Sequence, residues 1–242
     1  MAGRYFPIRS LSAKQVFWLI FSVVSILGFW YYKIPERISV FVSQPIQGKK
    51  WQTEVEKFTA LYPQPEKGSL VFLGDSHMEQ CEWQELLPLL KVYNRGIGGE
   101  TTASLLARLP QTLGHASSLH IFLQSGINDL FAEIPVDSIV ANHARILEFA
   151  KSRNISLKPT LVFYLRFKPD LNVRVKTLNQ KLKKLYSSHG IKAIDLNPRI
   201  SEGECLLKNY SNDGVHLNAA GYKIWAEEIR IQLKPSSALD SR

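Results

Sequence analysis

Val71-Phe72-Leu73-Gly74-Asp75-Ser76-His77 is the stretch on which the reading of this chain turns. Leu70 to Leu73 form an apolar run short enough for a buried strand. Gly74 and Asp75 interrupt it, and a helical pattern of apolar residues (Met78, Cys81, Trp83, Leu86, Leu87, Leu90) follows from Ser76. Ser76 therefore stands where a strand turns into a helix. A hydroxyl there is accessible at the sheet edge, and the positive end of the helix dipole favours negative charge developing beside it. The competing reading is that Asp75 or Ser76 is only a helix N-cap, a position both residue types favour.

Outward from this stretch, strands and helices alternate. Apolar runs predict strands over 70–73, 91–94, 120–124, 160–166 and 191–196. Helical spacing predicts helices over 76–90, 101–113, 136–153, 173–189 and 219–233. An amphipathic helix over 51–62, with Trp51, Val55, Phe58 and Tyr62 on one stripe, precedes them. Five strands, each followed by a helix, imply an α/β domain with a parallel sheet covered on both faces. Ligands of such sheets gather at the carboxyl ends of the strands.

The strand ends carry the polar chemistry. After the second strand comes Asn94-Arg95-Gly96-Ile97-Gly98-Gly99-Glu100-Thr101. A dinucleotide fingerprint fails here, because Thr101 stands where the third glycine is needed and Glu100 would set an anion beside a pyrophosphate. The Gly99 N–H, turned toward a developing oxyanion, is the alternative to an ordinary tight turn. The third strand ends in Ser125-Gly126-Ile127-Asn128-Asp129, where the Asn128 amide is a second donor or an N-cap. Near the C-terminus, Asp213-Gly214-Val215-His216 offers a base in His216, with Asp213 to hold one ring N–H and fix the tautomer. The other five histidines have no acidic partner in an equally suggestive place, and His77 is set apart only by adjoining Ser76.

Four segments in this order, Gly74-Asp75-Ser76, Asn94 to Gly99, Gly126-Ile127-Asn128-Asp129 and Asp213-Gly214-Val215-His216, resemble the four blocks of the SGNH, or GDSL-type, hydrolases. The resemblance implies a three-layer α/β/α sandwich of flavodoxin type. It implies Ser76 as nucleophile, His216 as base and Asp213 as its partner. It further implies an oxyanion hole of the Ser76 N–H, the Gly99 N–H and the Asn128 side chain. Typical substrates of the family are esters or thioesters of lipids, small acids or acylated sugars, and neither a metal nor an organic cofactor is needed. The chain departs from the family in following the serine with His77-Met78-Glu79 rather than small or hydroxyl residues.

The N-terminal part has a different character. Residues 1–15 are basic, and 16–32 form an apolar run ending in Trp30, Tyr31 and Tyr32. As a helix the run spans roughly 26 Å, close to a hydrocarbon core of about 30 Å. Its length and bulky end favour a retained anchor over a cleaved signal peptide. The flanking charges direct the N-terminus to the cytoplasm and the remainder outside, into a bacterial periplasm. The expected organisation is thus a basic segment (1–15), a transmembrane anchor (16–32), a linker (33–50), a hydrolase domain (51–235) and a tail (236–242).

Composition narrows the partners. Thirty basic against 21 acidic residues give a net charge of +9, but the basic residues are scattered and lack an aromatic-basic nucleic-acid motif. A solvated basic face, or attraction to anionic lipid or polysaccharide, is the reading that remains. Cys81 and Cys205 are too few for a disulfide scaffold and lack zinc spacing, leaving buried thiols or one bridge. The resulting expectation is a membrane-anchored serine esterase acting on a small-molecule, lipid or glycan ester. The alternatives are an O-acyltransferase of envelope polysaccharide with the same triad and a non-catalytic glycan-binding relative. Substrate choice is expected to rest on the loops 131–137 and 167–171.

Overall fold

The computed structural model describes residues 48–233, together with Lys14, Gln15, Trp18, Phe21 and Ser22. The chain divides into two compact units, Met1–Val42 and Ser43–Arg242. In the first, the described residues are helical; the Trp18 and Phe21 rings meet edge-on at 5.7 Å, and the Ser22 hydroxyl donates to the Trp18 carbonyl at 2.8 Å. Apart from Trp18, Phe21 and Ser22, the expected anchor lies outside the described residues, as do the C-terminal tail and the linker before Gly48. Among the described residues no helix is long and apolar enough to cross a membrane.

The second unit begins with helix α1 (Lys49–Glu56), which ends in one wider π-helical turn (Lys57–Leu61). Strand β1 (Leu70–Gly74) is buried along its whole length and lies between two parallel neighbours. These are β2 (Val92–Gly96), with Leu70 opposite Val92, and β3 (His120–Gln124), with Leu70 opposite His120. Strand β4 (Ser156–Pro159) extends the sheet beyond β3, so the order is β2-β1-β3-β4.

Successive strand residues point to opposite faces, and the core divides accordingly. Val71, Leu73, Ile121 and Leu123 pack on one face with α4 (Thr102–Leu113), α6 (Val136–Ser152) and α7 (Pro169–Ser187). Leu70, Phe72 and Phe122 pack on the other with α3 (Trp83–Leu86) and α9 (Ala219–Leu233). Aromatic rings fill this second face: Phe72 stacks on Trp83 at 4.2 Å, and Trp225 meets Trp83 and Phe163 edge-on at 5.1 Å. Helices on both faces of a parallel sheet make a three-layer α/β/α arrangement.

Two expectations need correction. The sheet has four strands, not five: β4 precedes the expected run 160–166, and the expected strand 191–196 contributes only a single parallel bridge, Thr160 to Ile194. Beyond that bridge, asparagine side chains take the place of a neighbouring strand. Asn179 accepts from Val162 N–H and donates to its carbonyl, at 2.9 and 2.7 Å. Asn197 accepts from Tyr164 N–H at 3.0 Å, and Asn172 both accepts from and donates to Leu165, at 2.8 and 2.7 Å. A buried backbone must be paired, and side chains meet that need here without a ladder.

The expected helix 76–90 is also divided, into α2 (Ser76–Glu79) and α3. The Asn94 amide donates to the carbonyls of Met78, Glu79 and Cys81, and the Trp83 indole donates to that of Met78. Carbonyls that would continue the helical ladder are thereby spent on side chains.

Candidate active site

Three parallel strand ends bring the site together. The last residue of β1 is glycine because the backbone of β3 leaves no room for a side chain: a Cβ on Gly74 would lie 1.9 Å from the Gln124 carbonyl oxygen. Asp75 then caps α2, its carboxylate accepting from the His77 N–H at 3.0 Å. The cap reading of Asp75 is thus correct, and it leaves Ser76 as the first helical residue with its side chain half-buried at the strand end.

The Ser76 hydroxyl donates to His216 Nε2 at 2.9 Å, across 140 residues of sequence. His216 Nδ1–H donates to Asp213 Oδ2 at 2.7 Å. Asp213 Oδ1 accepts from the backbone N–H groups of Val215 and His216, both at 2.8 Å. Burial pushes the Asp213 carboxyl up, but the His216 ring and these two N–H groups outweigh it and hold it well below the usual carboxylate range. An ionised Asp213 keeps the proton of His216 on Nδ1, so the lone pair of Nε2 faces the serine. That is the tautomer needed to take the hydroxyl proton.

The two oxyanion candidates flank Ser76, because β2 and β3 flank β1. After β2, Gly99 sits exposed at φ +78°, a conformation that favours glycine. Its turn is tied to β1 by Ile97 N–H donating to the Gly74 carbonyl at 2.9 Å. After β3, Asn128 in α5 (Ile127–Phe131) donates one amide hydrogen to the Glu100 carbonyl at 3.0 Å, leaving the other for a ligand. Asn128 and the Gly99 turn are therefore one hydrogen-bonded unit.

Glu100 faces away from the site. Its carboxylate accepts from Arg108 at 2.7 and 2.6 Å and from the Trp51 indole at 2.7 Å, with neither charged side chain exposed. Burial pushes its carboxyl up against the pull of Arg108. This buried pair anchors the Gly99 turn to α1 and α4.

His77 is the contact that sequence reading did not resolve. Its ring is buried beside Ser76; Nε2–H donates to the Val215 carbonyl at 3.1 Å, and Nδ1 lies 3.3 Å from Asp75 Oδ1. The His77 carbonyl accepts from the Tyr222 hydroxyl at 2.9 Å. The available signal was the departure from small or hydroxyl residues after the serine. Cys81 and Cys205 are both free thiols, and burial pushes the Cys81 thiol up to about 12.

A parallel α/β sandwich with a serine at a strand end, hydrogen-bonded through a histidine to an aspartate, both from the loop before α9, has the layout of a serine hydrolase. The chain belongs to the GDSL-like lipase/acylhydrolase family of ester-hydrolysing enzymes: residues 72–224, more than half of its 242, match that family's sequence model. It is similar to the N-acylneuraminate cytidylyltransferases of Streptococcus agalactiae, at 25% identity over 172 residues, covering 68% of this chain and 40% of the relative. The chain thus spans about two fifths of the length of the curated relatives it matches. Its fold is similar to that of a GDSL-like lipase from Bacteroides thetaiotaomicron, with a TM-score of 0.65, 23% identity, and coverage of 75% and 96% of the two chains. It is also similar to a variant of an acetyl-xylooligosaccharide esterase from Geobacillus Stearmophilus, with a TM-score of 0.56, 18% identity, and coverage of 69% and 94%.

Proposed function

We propose that the protein is a membrane-anchored serine esterase that removes acyl groups from a glycan or lipid through an acyl-Ser76 intermediate. The observation that carries this reading is the unbroken hydrogen-bond chain from Ser76 through His216 to Asp213. Ser76 Oγ attacks the ester carbon as His216 Nε2 takes its proton. The negative charge on the carbonyl oxygen is held by the Ser76 and Gly99 N–H groups and the Asn128 amide. The intermediate collapses, and the alcohol leaves with the proton from His216. Water, deprotonated by the same ring, then attacks the acyl-serine and releases the carboxylic acid.

The anchor is the apolar run 16–32, which places the catalytic unit outside the cytoplasm as a single-pass protein. Resistance of the full chain to alkaline carbonate extraction from membranes checks the anchor; release into the soluble fraction would refute it.

The esterase is tested with p-nitrophenyl acetate. Ser76→Ala is expected to abolish hydrolysis and covalent labelling by a fluorophosphonate while the thermal transition is unchanged. Substantial turnover in that variant would reject Ser76 as the nucleophile.

A further inference from the structure

A cleft lies between the C-terminal end of α5 and the N-terminal end of α7. It encloses about 500 Å³, within the range of roughly 300–1,000 Å³ usual for small-molecule sites. Its walls include Phe131 and Phe167, residues that remain 45% and 68% exposed. Both are coupled to groups of the candidate active site. Phe131 follows Asn128 by three residues on α5, about one turn along the same side. Phe167 rests on the turn that carries the histidine: a Cβ on Gly214 would come within 2.8 Å of its ring. Arg166 N–H also donates to the Gly214 carbonyl at 2.8 Å.

The two walls are braced. Arg174 on α7 donates to the carbonyls of Leu130 and Ile134, at 3.0 and 2.7 Å, so the cleft keeps its width. Its rim is charged, with Glu133 on one side and Lys168 and Asp170 on the other.

We propose that this cleft binds the alcohol portion of the ester, and that the alcohol is a pyranose sugar stacked on Phe167 and Phe131. The proposal rests on the esterase reading and names its substrate class. An alkyl chain here would stay half in water and would strip solvent from charged groups without bonding them. A sugar ring satisfies both surfaces. The Arg166 guanidinium lies over the Phe167 ring at 5.1 Å; the sugar's C–H face covers the part of the ring still exposed, and its hydroxyls bond the carboxylates and ammonium of the rim.

The full chain is assayed on an acetylated xylo-oligosaccharide, on p-nitrophenyl acetate and on p-nitrophenyl decanoate. Phe167→Ala is expected to raise KM for the sugar ester about tenfold with kcat unchanged, as loss of one stacked contact would. Its kcat/KM on p-nitrophenyl acetate is expected to fall by a much smaller factor, since a p-nitrophenyl ring has no hydroxyls to fix it against the charged rim. Phe167→Trp is expected to restore the sugar KM. Phe167 is well exposed, so neither change threatens folding.

The proposal is overturned if Phe167→Ala and the double Phe131→Ala/Phe167→Ala variant match the parent on the sugar ester. It is equally overturned if kcat/KM falls by the same factor on the sugar ester and on p-nitrophenyl acetate, or if the decanoate is preferred and is the one that suffers. If the parent hydrolyses no ester, the esterase reading fails separately, and calorimetry on Ser76→Ala then decides the cleft. Xylo-oligosaccharide binding that weakens on adding Phe167→Ala supports it, and no binding overturns it.

Discussion

His216 can serve Ser76 only if the peptide that carries it is held still, and that peptide is held at both ends. Its N–H donates to Asp213 and its carbonyl, on Val215, accepts from His77. His77→Ala removes one end and is expected to lower kcat on p-nitrophenyl acetate by about 10²-fold, the effect of a small misplacement of a catalytic group. Little change in KM is expected, and His77→Gln, which keeps an N–H for Val215, should recover part of the loss. An unchanged kcat in His77→Ala would show that the clamp is dispensable. Asp213→Asn loses the charge that sets the His216 tautomer and is expected to cost about 10⁴-fold in kcat. Asn128→Ala removes one of the proposed oxyanion donors, and a loss of ~10²–10³ in kcat is expected. The three steady-state measurements rank positioning, tautomer and oxyanion contributions.

Segment 161–165 shows how an element can be buried without belonging to the sheet. Leu161, Val162, Phe163 and Leu165 are all buried, which is why the apolar run reads as a strand. Pairing decides otherwise, because Asn172 and Asn179 from α7 and Asn197 at the start of α8 (Asn197–Ile200) bond the segment's backbone. Asn172→Ala leaves Leu165 N–H and carbonyl without this partner, and also frees the carbonyl of Glu204. Each orphaned buried group costs about 1–3 kcal/mol. A loss of about 3 kcal/mol is therefore expected in urea unfolding at neutral pH. A change under about 0.5 kcal/mol, the usual range for an exposed site, would mean that water replaces the side chain.

For the molecule as a whole, two buried groups give opposite dependences of stability on pH. Burial lowers His143 from 6.5 to about 4, against its bond to the Ser125 carbonyl. The unfolded chain then binds the extra proton, so the contribution of His143 is full above pH 6.5 and is lost as pH falls to about 4. Burial raises Asp129 from 3.8 to about 6, against its bonds from Thr102. Here the folded chain holds the proton, so its contribution grows as pH falls from about 6 toward 3.8. Each is worth about 3 kcal/mol, so they largely cancel in the parent. Relative to the parent at the same pH, His143→Gln is expected to gain stability on acidification from pH 7 to pH 4, and Asp129→Asn to lose it. Urea midpoints across that range check both slopes; parallel curves for all three proteins would refute them. On this same scale the division between sequence and structure becomes plain. The strand-turn-helix at Gly74-Asp75-Ser76, the alternation of elements and the polar residues at each strand end are local patterns of period two and 3.6, and the sequence alone determined them. Only the tertiary structure decided that the fifth strand reduces to one bridge, that helix 76–90 divides at Asn94's contacts, and that His77 grips Val215. Those outcomes depend on side chains meeting backbone far away in sequence, and no local periodicity encodes which distant carbonyl an asparagine or histidine will reach.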